Sequence, residues 1–168
     1  MAASYPDGLI PGPVAYSPPM GVEVEAVTEV TDELVKACGR LLPQLSGSAA
    51  PVGAGELGRI VGHQGITLFV ARGEGGIVGM LILVTFPLAT GLRARIEDVV
   101  VDEGARGQGV GTALTTAALE LARRLGARSV DLTSRPSRVA ANRLYQRLGF
   151  RLREANVYRY RPRPPAAG

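Results

Sequence analysis

The chain has 168 residues, 46% of them hydrophobic and 20% charged, with a formal net charge of +4 at pH 7. This length fits one domain with a sizeable core and argues against a second full domain, because domains usually hold about 100–200 residues. Arginine carries nearly all of the positive charge, since Lys36 is the only lysine. Guanidinium groups suit phosphate oxygens and favour a polyanionic ligand. Their scatter, with few aromatic residues to stack on bases, disfavours nucleic acid.

A single cysteine, Cys38, leaves no internal disulfide and no cysteine cluster for a metal. A reducing cytoplasm is therefore the expected compartment. No apolar run reaches the roughly 20 residues of a membrane span, and the first residues lack the charged start and apolar stretch of a secretory signal. We expect a soluble protein with no metal site and no membrane partner.

The first residues are rich in proline, glycine, alanine and serine, which predicts a flexible tail over residues 1–21. Apolar and acidic residues then alternate over 22–27, which predicts a half-exposed strand. Apolar residues at helical spacing follow and predict a helix that Pro43 ends. A loop over 46–55 leads to a short helix over 56–61.

Two β-rich runs, 66–71 and 77–86, are separated by glycines that permit a hairpin turn. The next strand, 94–101, ends in three valines, and this apolar run favours a central position in the sheet. A helix over 110–125 carries its apolar residues on one stripe, and Gly126 ends it.

A further strand is predicted over 129–133, followed by a helix that Ser137 caps. Two last strands, 150–153 and 157–161, complete the predicted elements. The order β-α-α-β-β-β-α-β-α-β-β predicts a mixed α/β (α+β) architecture, neither a run of βαβ units nor an all-β meander.

A glycine-rich turn opens directly into the predicted helix over 110–125. Closely spaced glycines let the backbone fold tightly with its N–H groups exposed, and a helix N-terminus adds about half a positive charge there. The turn therefore predicts a phosphate-binding cradle. Its residues are Arg106, Gly107, Gln108, Gly109, Val110, Gly111 and Thr112.

Three kinds of glycine-loop fold compete for this cradle. A P-loop needs Lys-Ser/Thr after its last glycine, and Val110 and Gly111 stand there instead. The dinucleotide-binding fingerprint has Gly107 and Gly109 in place, but Thr112 occupies its third glycine position. Too little chain follows the turn to complete a doubly wound sheet.

The third possibility is a resemblance, and two motifs carry it. The pattern Arg106-x-x-Gly109-x-Gly111, after a strand that ends in valines, resembles the pyrophosphate-binding signature of the GNAT superfamily of acyl-CoA-dependent N-acyltransferases. The segment 141–150, which reads Ala-Asn-Arg-Leu-Tyr-Gln-Arg-Leu-Gly-Phe, resembles the later helix-strand motif of that family at the expected distance. Two spaced motifs in the right order are far more specific than either alone.

The resemblance covers residues 22–161 and implies one N-acetyltransferase domain between the tails 1–21 and 162–168. It implies a mixed, mostly antiparallel central sheet of about six to seven strands, with about four helices on both faces. It also implies acetyl-CoA as co-substrate and a primary amine as acceptor, which attacks directly in a ternary complex. Homodimers are common in the family, so a homodimer is the implied assembly.

The donor side of the reaction follows from the resemblance. In this family the end of the fourth strand splays from its neighbour, so backbone groups there bind the pantetheine arm and polarise the thioester carbonyl. Many members carry an asparagine where this chain has Arg138, and Asn142 is the candidate for that coenzyme contact. The residues implied to bind coenzyme A are Val99, Val100, Val101, Arg106, Gly107, Gln108, Gly109, Val110, Gly111, Thr112 and Asn142.

Catalytic residues are implied in the same way. Tyr145 resembles the general acid that protonates the thiolate of coenzyme A, although its spacing alone would place it in an apolar helix stripe. Glu97 is the candidate base, and Glu97 and Asp98 are candidates to bind the substrate amine. The alternative for each is a surface ion pair with Arg93 or Arg95. Neighbouring strand residues point to opposite faces, so Glu97 and Asp98 are not expected to act as a pair.

Two other functions stay open. One is an acyltransferase that uses a longer acyl-CoA or a different amine, including protein N-termini or lysines. The other is a non-catalytic module that binds or senses acyl-CoA, and Tyr145 with an acidic strand residue argues against it, because binding alone needs neither. The strand 96–101 also resembles that of glucosamine-6-phosphate N-acetyltransferases, but six residues do not identify the acceptor. The only histidine, His63, is expected to be a solvated loop residue.

Overall fold

A computed structural model describes residues 21–47 and 50–162 of the chain. The predicted tails therefore lie outside the described residues, except for Gly21 and Pro162. Among the described residues, no helix combines the length and the apolar character needed to cross a bilayer.

Five strands form the sheet of the described residues: β1 (Glu23–Ala26), β2 (Ile66–Gly73), β3 (Gly76–Leu88), β4 (Gly91–Val101) and β5 (Val130–Leu132). The α-helices are α1 (Asp32–Leu45), α2 (Ala54–Val61), α3 (Val110–Arg124) and α4 (Val139–Arg147). A short 3-10 turn, Glu103–Ala105, joins β4 to the glycine-rich turn.

The strands lie in the order β1-β2-β3-β4-β5, and every neighbouring pair is antiparallel except the parallel pair of β4 and β5. The predicted mixed α/β class with a mostly antiparallel sheet is confirmed. β4 lies between β3 and β5, as its apolar end predicted. Its position matters for function, because the only parallel pair of this sheet contains it.

Helices cover both faces of the sheet. On one face α3 buries Leu114 against Phe69 and Leu81, and on the other α1 and α2 bury Leu41 and Leu57. All five side chains are at most 1% exposed. Burial of such a side chain is worth about 1.5–3 kcal/mol, so these two layers hold the strands that carry the site.

Two predicted helix boundaries are wrong. Helix α1 continues through Pro43 to Leu45 instead of ending at the proline. Proline removes one backbone hydrogen bond, and in the last turn the carbonyl that loses it, on exposed Gly39, remains accessible to water. Helix α4 has Arg138 as its N-cap rather than Ser137, with no side-chain capping bond.

The two predicted C-terminal strands are also wrong, because no strand forms in the described residues 150–162. Apolar residues alternate with arginine there, which satisfies the local strand pattern, but a strand also needs a partner. The neighbouring edge strand β5 has only three residues, and Leu152 and Tyr158 of the segment are 95% and 87% exposed. The sheet of the described residues therefore has five strands rather than the expected six to seven.

Candidate active site

The glycine-rich turn has the geometry of an anion cradle. Gly107 and Gly109 have φ angles of +78° and +81°, a left-handed conformation that favours glycine. Gly109 is the N-cap of α3, so the first amides of the helix, at Val110, Gly111 and Thr112, have no partner within the helix. These amides and the positive end of the helix dipole can hold a pyrophosphate.

The Arg106 side chain connects the cradle to two other elements. Its Nε donates to the Val101 carbonyl at 3.3 Å, and its Nη2 donates to Oε1 of Gln44 at 3.4 Å. The same Gln44 oxygen accepts the backbone N–H of Glu103 at 3.0 Å. The end of α1 therefore fixes the approach to the cradle.

A second link between α1 and the cradle is ionic. Arg40 donates from Nε to Asp102 at 2.8 Å and from Nη2 to the Ile77 carbonyl at 2.6 Å. Asp102 also accepts the N–H of Gly104 at 3.4 Å. The hydrogen bond from Arg40 lowers the pKa of Asp102, so this carboxylate stays ionised at the start of the turn.

A β-bulge interrupts β4 next to the predicted acidic residues. Ile82 of β3 pairs with Glu97, whereas Met80, two residues away, pairs with Val100, three residues away. The extra residue lies at Asp98, whose φ is +49°, the one positive φ of a residue other than glycine in the described chain. Aspartate adopts this left-handed conformation more readily than most residues.

The bulge reverses the alternation of side chains along β4. Ala94 and Ile96 pack toward α3, whereas beyond the bulge Val99 and Val101 do so and Val100 packs toward α1. The expectation that adjacent residues at positions 97 and 98 must be separated onto opposite faces is therefore wrong, because it assumed a regular strand.

The ends of β4 and β5 diverge after the bulge begins. The two strands pair only over Ala94–Ile96 of β4 and Val130–Leu132 of β5. From Glu97 onward, the backbone of β4 has no strand partner on that side. Such backbone groups can bind an extended ligand arm between the strands.

A cavity of about 340 Å³ opens at this divergence and brings four of the predicted site residues together, Glu97, Asp98, Val99 and Tyr145. The cradle residues do not line it, and Gln108 and Val110 instead line a separate cavity of about 480 Å³. The walls of the smaller cavity are Leu45, Ser46, Ile96, Glu97, Asp98, Val99, Leu132, Thr133, Ser134, Arg135, Arg138, Tyr145 and Arg159.

The two acidic residues differ in their partners. Glu97 forms an ion pair with Nε of Arg95, whose Nη2 also donates to Oγ1 of Thr133 at 2.7 Å. Asp98 has no ion pair or hydrogen-bonded side-chain partner among the described residues. Partial desolvation in the cavity wall and the neighbouring charge of Glu97 raise the pKa of Asp98, which keeps an exposed surface.

Tyr145 is half-buried in the cavity wall. Its ring packs edge-to-face on Phe150, with centroids 5.8 Å apart and an interplanar angle of 67°. Burial raises the pKa of Tyr145, and the positive charge of Arg138 opposes that shift. The phenol therefore remains protonated at neutral pH and has a proton to donate.

Asn142 and Arg138 take up separate contacts at the start of α4. Nδ2 of Asn142 donates to the Arg135 carbonyl at 2.9 Å, which holds the loop before the helix. Nη2 of Arg138 donates to the Leu45 carbonyl at 3.0 Å and connects α4 with the end of α1. The sequence analysis did not include Arg138 among the site residues. The signal that could have identified it is that many family members carry an asparagine at this position.

Two remaining predictions concern histidine and metals. Nδ1 of His63 accepts the N–H of Gly65 at 3.1 Å, so the histidine stabilises a turn outside the cavity. Within residues 21–47 and 50–162, no three histidine, cysteine, aspartate or glutamate side chains lie close enough to hold a metal ion. Cys38 is buried in α1 and unpaired.

A glycine cradle at the start of α3 and diverging ends of β4 and β5 are the features that the sequence resemblance led us to expect. Residues 43–150 match the model of the acetyltransferase (GNAT) family. This match covers more than half of the chain, and the chain belongs to that family.

Three relatives illustrate the match. An uncharacterised N-acetyltransferase of Methanocaldococcus jannaschii is 41% identical over 61 residues, which are 36% of this chain and 27% of that protein. N-alpha-acetyltransferase 30 of Schizosaccharomyces pombe is 38% identical over 71 residues, 42% of this chain and 47% of that protein. The aligned segments thus span less than half of either relative. The crystal structure of a Trypanosoma brucei acetyltransferase aligns over 83% of this chain and 99% of its own, with 30% identity and a TM-score of 0.67.

Proposed function

We propose that this protein transfers the acetyl group of acetyl-CoA to a primary amine, which attacks the thioester directly in a ternary complex. One observation carries the proposal: the cavity between the diverging strands holds both an unpaired carboxylate, Asp98, and a protonated phenol, Tyr145. Amine acylation by a thioester needs one group that removes a proton and one that supplies a proton.

The donor would bind along the cradle and β4. Amides from Gln108 to Thr112 face the pyrophosphate, and the left-handed Gly107 and Gly109 support the fit, because a side chain at either position would strain the turn. Backbone groups of Val99–Val101 receive the pantetheine arm, and Asn142 contributes from α4. When bound, acetyl-CoA supplies the activated acyl group, and an unpaired N–H of β4 polarises its carbonyl.

Asp98, rather than Glu97, is the better candidate to receive the proton of the substrate ammonium. Glu97 already forms an ion pair with Arg95, which is the alternative role that its sequence position left open. Asp98 lines the same cavity without such a partner, and its raised pKa strengthens it as a proton acceptor. Glu97 then contributes negative charge that raises this basicity.

Tyr145 acts on the leaving group. The amine nitrogen forms a bond to the carbonyl carbon, the carbon–sulfur bond breaks, and the departing thiolate takes the Tyr145 proton. The second proton of the acylated amine leaves to solvent or restores the tyrosine. The edge contact with Phe150 fixes the ring of Tyr145 in the cavity wall.

The test is amine-dependent release of the coenzyme A thiol from acetyl-CoA across a broad amine panel, repeated with longer acyl-CoA donors. Turnover with acetyl-CoA that requires an amine supports the proposal. Faster turnover with a longer acyl-CoA would show that the protein transfers that longer acyl group rather than acetyl. Tight acetyl-CoA binding by calorimetry without turnover on any amine would instead identify a sensing module. We expect the active protein to be a cytoplasmic homodimer.

A further inference from the structure

The residues that line the 340 Å³ cavity carry charges of both signs that do not all pair with one another. Asp98 contributes a carboxylate, and Arg135, Arg138 and Arg159 contribute three guanidinium groups. In the described part of the chain, none of these three arginines forms an ion pair with a carboxylate, and neither does Asp98. The cavity therefore presents unneutralised negative and positive groups to whatever fills it.

One of these arginines, Arg138, is held by another element rather than by Asp98. Arg138 donates to the Leu45 carbonyl at the end of α1, a contact that fixes its guanidinium while leaving its charge uncompensated. Arg159 comes from the C-terminal segment, which contributes no residue to the glycine cradle. An amine bound at Asp98 thus shares the cavity with residues that carry guanidinium donors.

The phosphates of the donor do not account for these arginines. Their cradle lies at the start of α3, and none of its residues lines this cavity. The cavity contains Tyr145 and Asp98, the groups proposed to exchange protons with the reacting atoms. The acceptor therefore has to enter this cavity beside the uncharged pantetheine arm, where it meets these free charges.

We infer that the acceptor is a small primary amine that also carries an anionic oxygen group, a carboxylate or a phosphate. The amine lies at Asp98, and the anion is bound by Arg159 with Arg138 and Arg135, since guanidinium groups match both kinds of oxyanion. Polycationic amines are disfavoured, because three guanidinium groups repel additional positive charge. The inference rests on the proposed function, which supplies the role of the cavity.

The test compares pairs of amines that differ only in the anion. Suitable pairs are β-alanine with β-alaninamide and phosphoethanolamine with ethanolamine, and spermidine serves as a polycation. Binding of each to the protein saturated with coenzyme A is measured by calorimetry, and thiol release is measured in parallel with acetyl-CoA. We expect at least about tenfold tighter binding of the anionic member of one pair, the size of one charge-assisted hydrogen bond. The pair that responds distinguishes carboxylate from phosphate.

Arg159→Gln is the informative variant, and Arg161→Gln is its matched control. Both arginines are exposed in the same segment, but only Arg159 lines the cavity. We expect Arg159→Gln to abolish the preference for the anionic amine while the KM for acetyl-CoA is unchanged, and Arg161→Gln to preserve both.

Equal binding of both members of every pair, or tighter binding of spermidine, would overturn the inference. The inference would also fail if the preference for the anionic amine survived in Arg159→Gln, or if this substitution weakened only the binding of acetyl-CoA. Selective binding without turnover would sustain the charge assignment and refute the proposed acetyl transfer, so the two failures are distinguishable.

Discussion

Leu144 of α4 occupies the space that a side chain on Gly111 of α3 would need. A Cβ placed on Gly111 would lie 3.1 Å from Cδ1 of Leu144 and 3.7 Å from Cγ2 of Val101. Gly111 therefore does more than leave the backbone of the cradle accessible to a phosphate. It lets α4 approach α3, and the residue after Leu144 is Tyr145.

Gly111→Ala should lower kcat while leaving the fold intact. Alanine is intrinsically better than glycine in a helix by about 1 kcal/mol. The methyl group, however, would push the flexible end of Leu144 by a few tenths of an ångström and shift Tyr145 with it. Because rates are sensitive to small misplacements, we expect a loss of up to about tenfold in kcat.

The matched control is Gly39→Ala in α1, where nothing lies within 4 Å of the added Cβ. It should raise the free energy of unfolding by about 1 kcal/mol and leave kcat unchanged. Steady-state kinetics and urea unfolding of both variants provide the comparison. If Gly111→Ala retains full kcat, the packing of α4 on α3 does not position Tyr145.

Tyr145→Phe should lower kcat by about one to two orders of magnitude, the lower part of the range for loss of a general acid. Phenylalanine keeps the edge contact with Phe150, so the Kd of acetyl-CoA and the stability should be preserved. Tyr160→Phe, at a tyrosine that is 86% exposed and outside the cavity, is the control. Unchanged turnover in Tyr145→Phe would remove the tyrosine from the mechanism.

Much of the fold could be predicted from periodicity and glycine placement. Helix α3 was predicted over 110–125 and spans Val110–Arg124, because a continuous apolar stripe is a strong local signal. The C-terminal strands were not predictable in this way, since pairing depends on what the neighbouring edge offers. The three residues of β5 offer few backbone groups for a further strand to pair with.

The site was predictable only where a motif marked it. The cradle and Tyr145 belong to motifs, whereas the bulge at Asp98 has no sequence signature and reverses the alternation on which the facing of Glu97 was judged. The contribution of Arg159 depends on where a segment without regular structure lies. No local pattern encodes that placement.

Asp98→Asn should lower kcat/KM for the amine more than Glu97→Gln does. Asparagine tolerates the left-handed backbone of position 98 but cannot accept the substrate proton. We expect about a hundredfold loss for Asp98→Asn, the lower end for general base catalysis, and less than about tenfold for Glu97→Gln. The reverse order would return the role of base to Glu97.

The same substitution makes a prediction about stability and pH. The pKa of Asp98 in the folded protein is raised above its ordinary value of 3.8, so ionisation costs stability in the folded state. The wild type is therefore relatively most stable below about pH 3.8 and loses that contribution as pH rises through the raised pKa. Asparagine does not titrate.

We accordingly expect Asp98→Asn to have the same free energy of unfolding as the wild type in acid and a larger one at neutral pH. The free energy of unfolding in urea, measured for both proteins between about pH 3 and 7.5, provides the test. A stability difference that is independent of pH would show that folding does not raise the pKa of Asp98, and one that favours the wild type at neutral pH would show that Asp98 has an ion-pair partner in solution.

The most direct measurement follows the acetyl group itself. The protein is incubated with acetyl-CoA carrying an isotopically labelled acetyl group and a panel of primary amines, and the amines are analysed by mass spectrometry. The structure predicts a labelled amide on at least one amine, formed in equal amount with free coenzyme A thiol and at a strongly reduced rate by Tyr145→Phe. Saturable acetyl-CoA binding with no labelled amine in any reaction would contradict the assignment of this protein as an N-acetyltransferase.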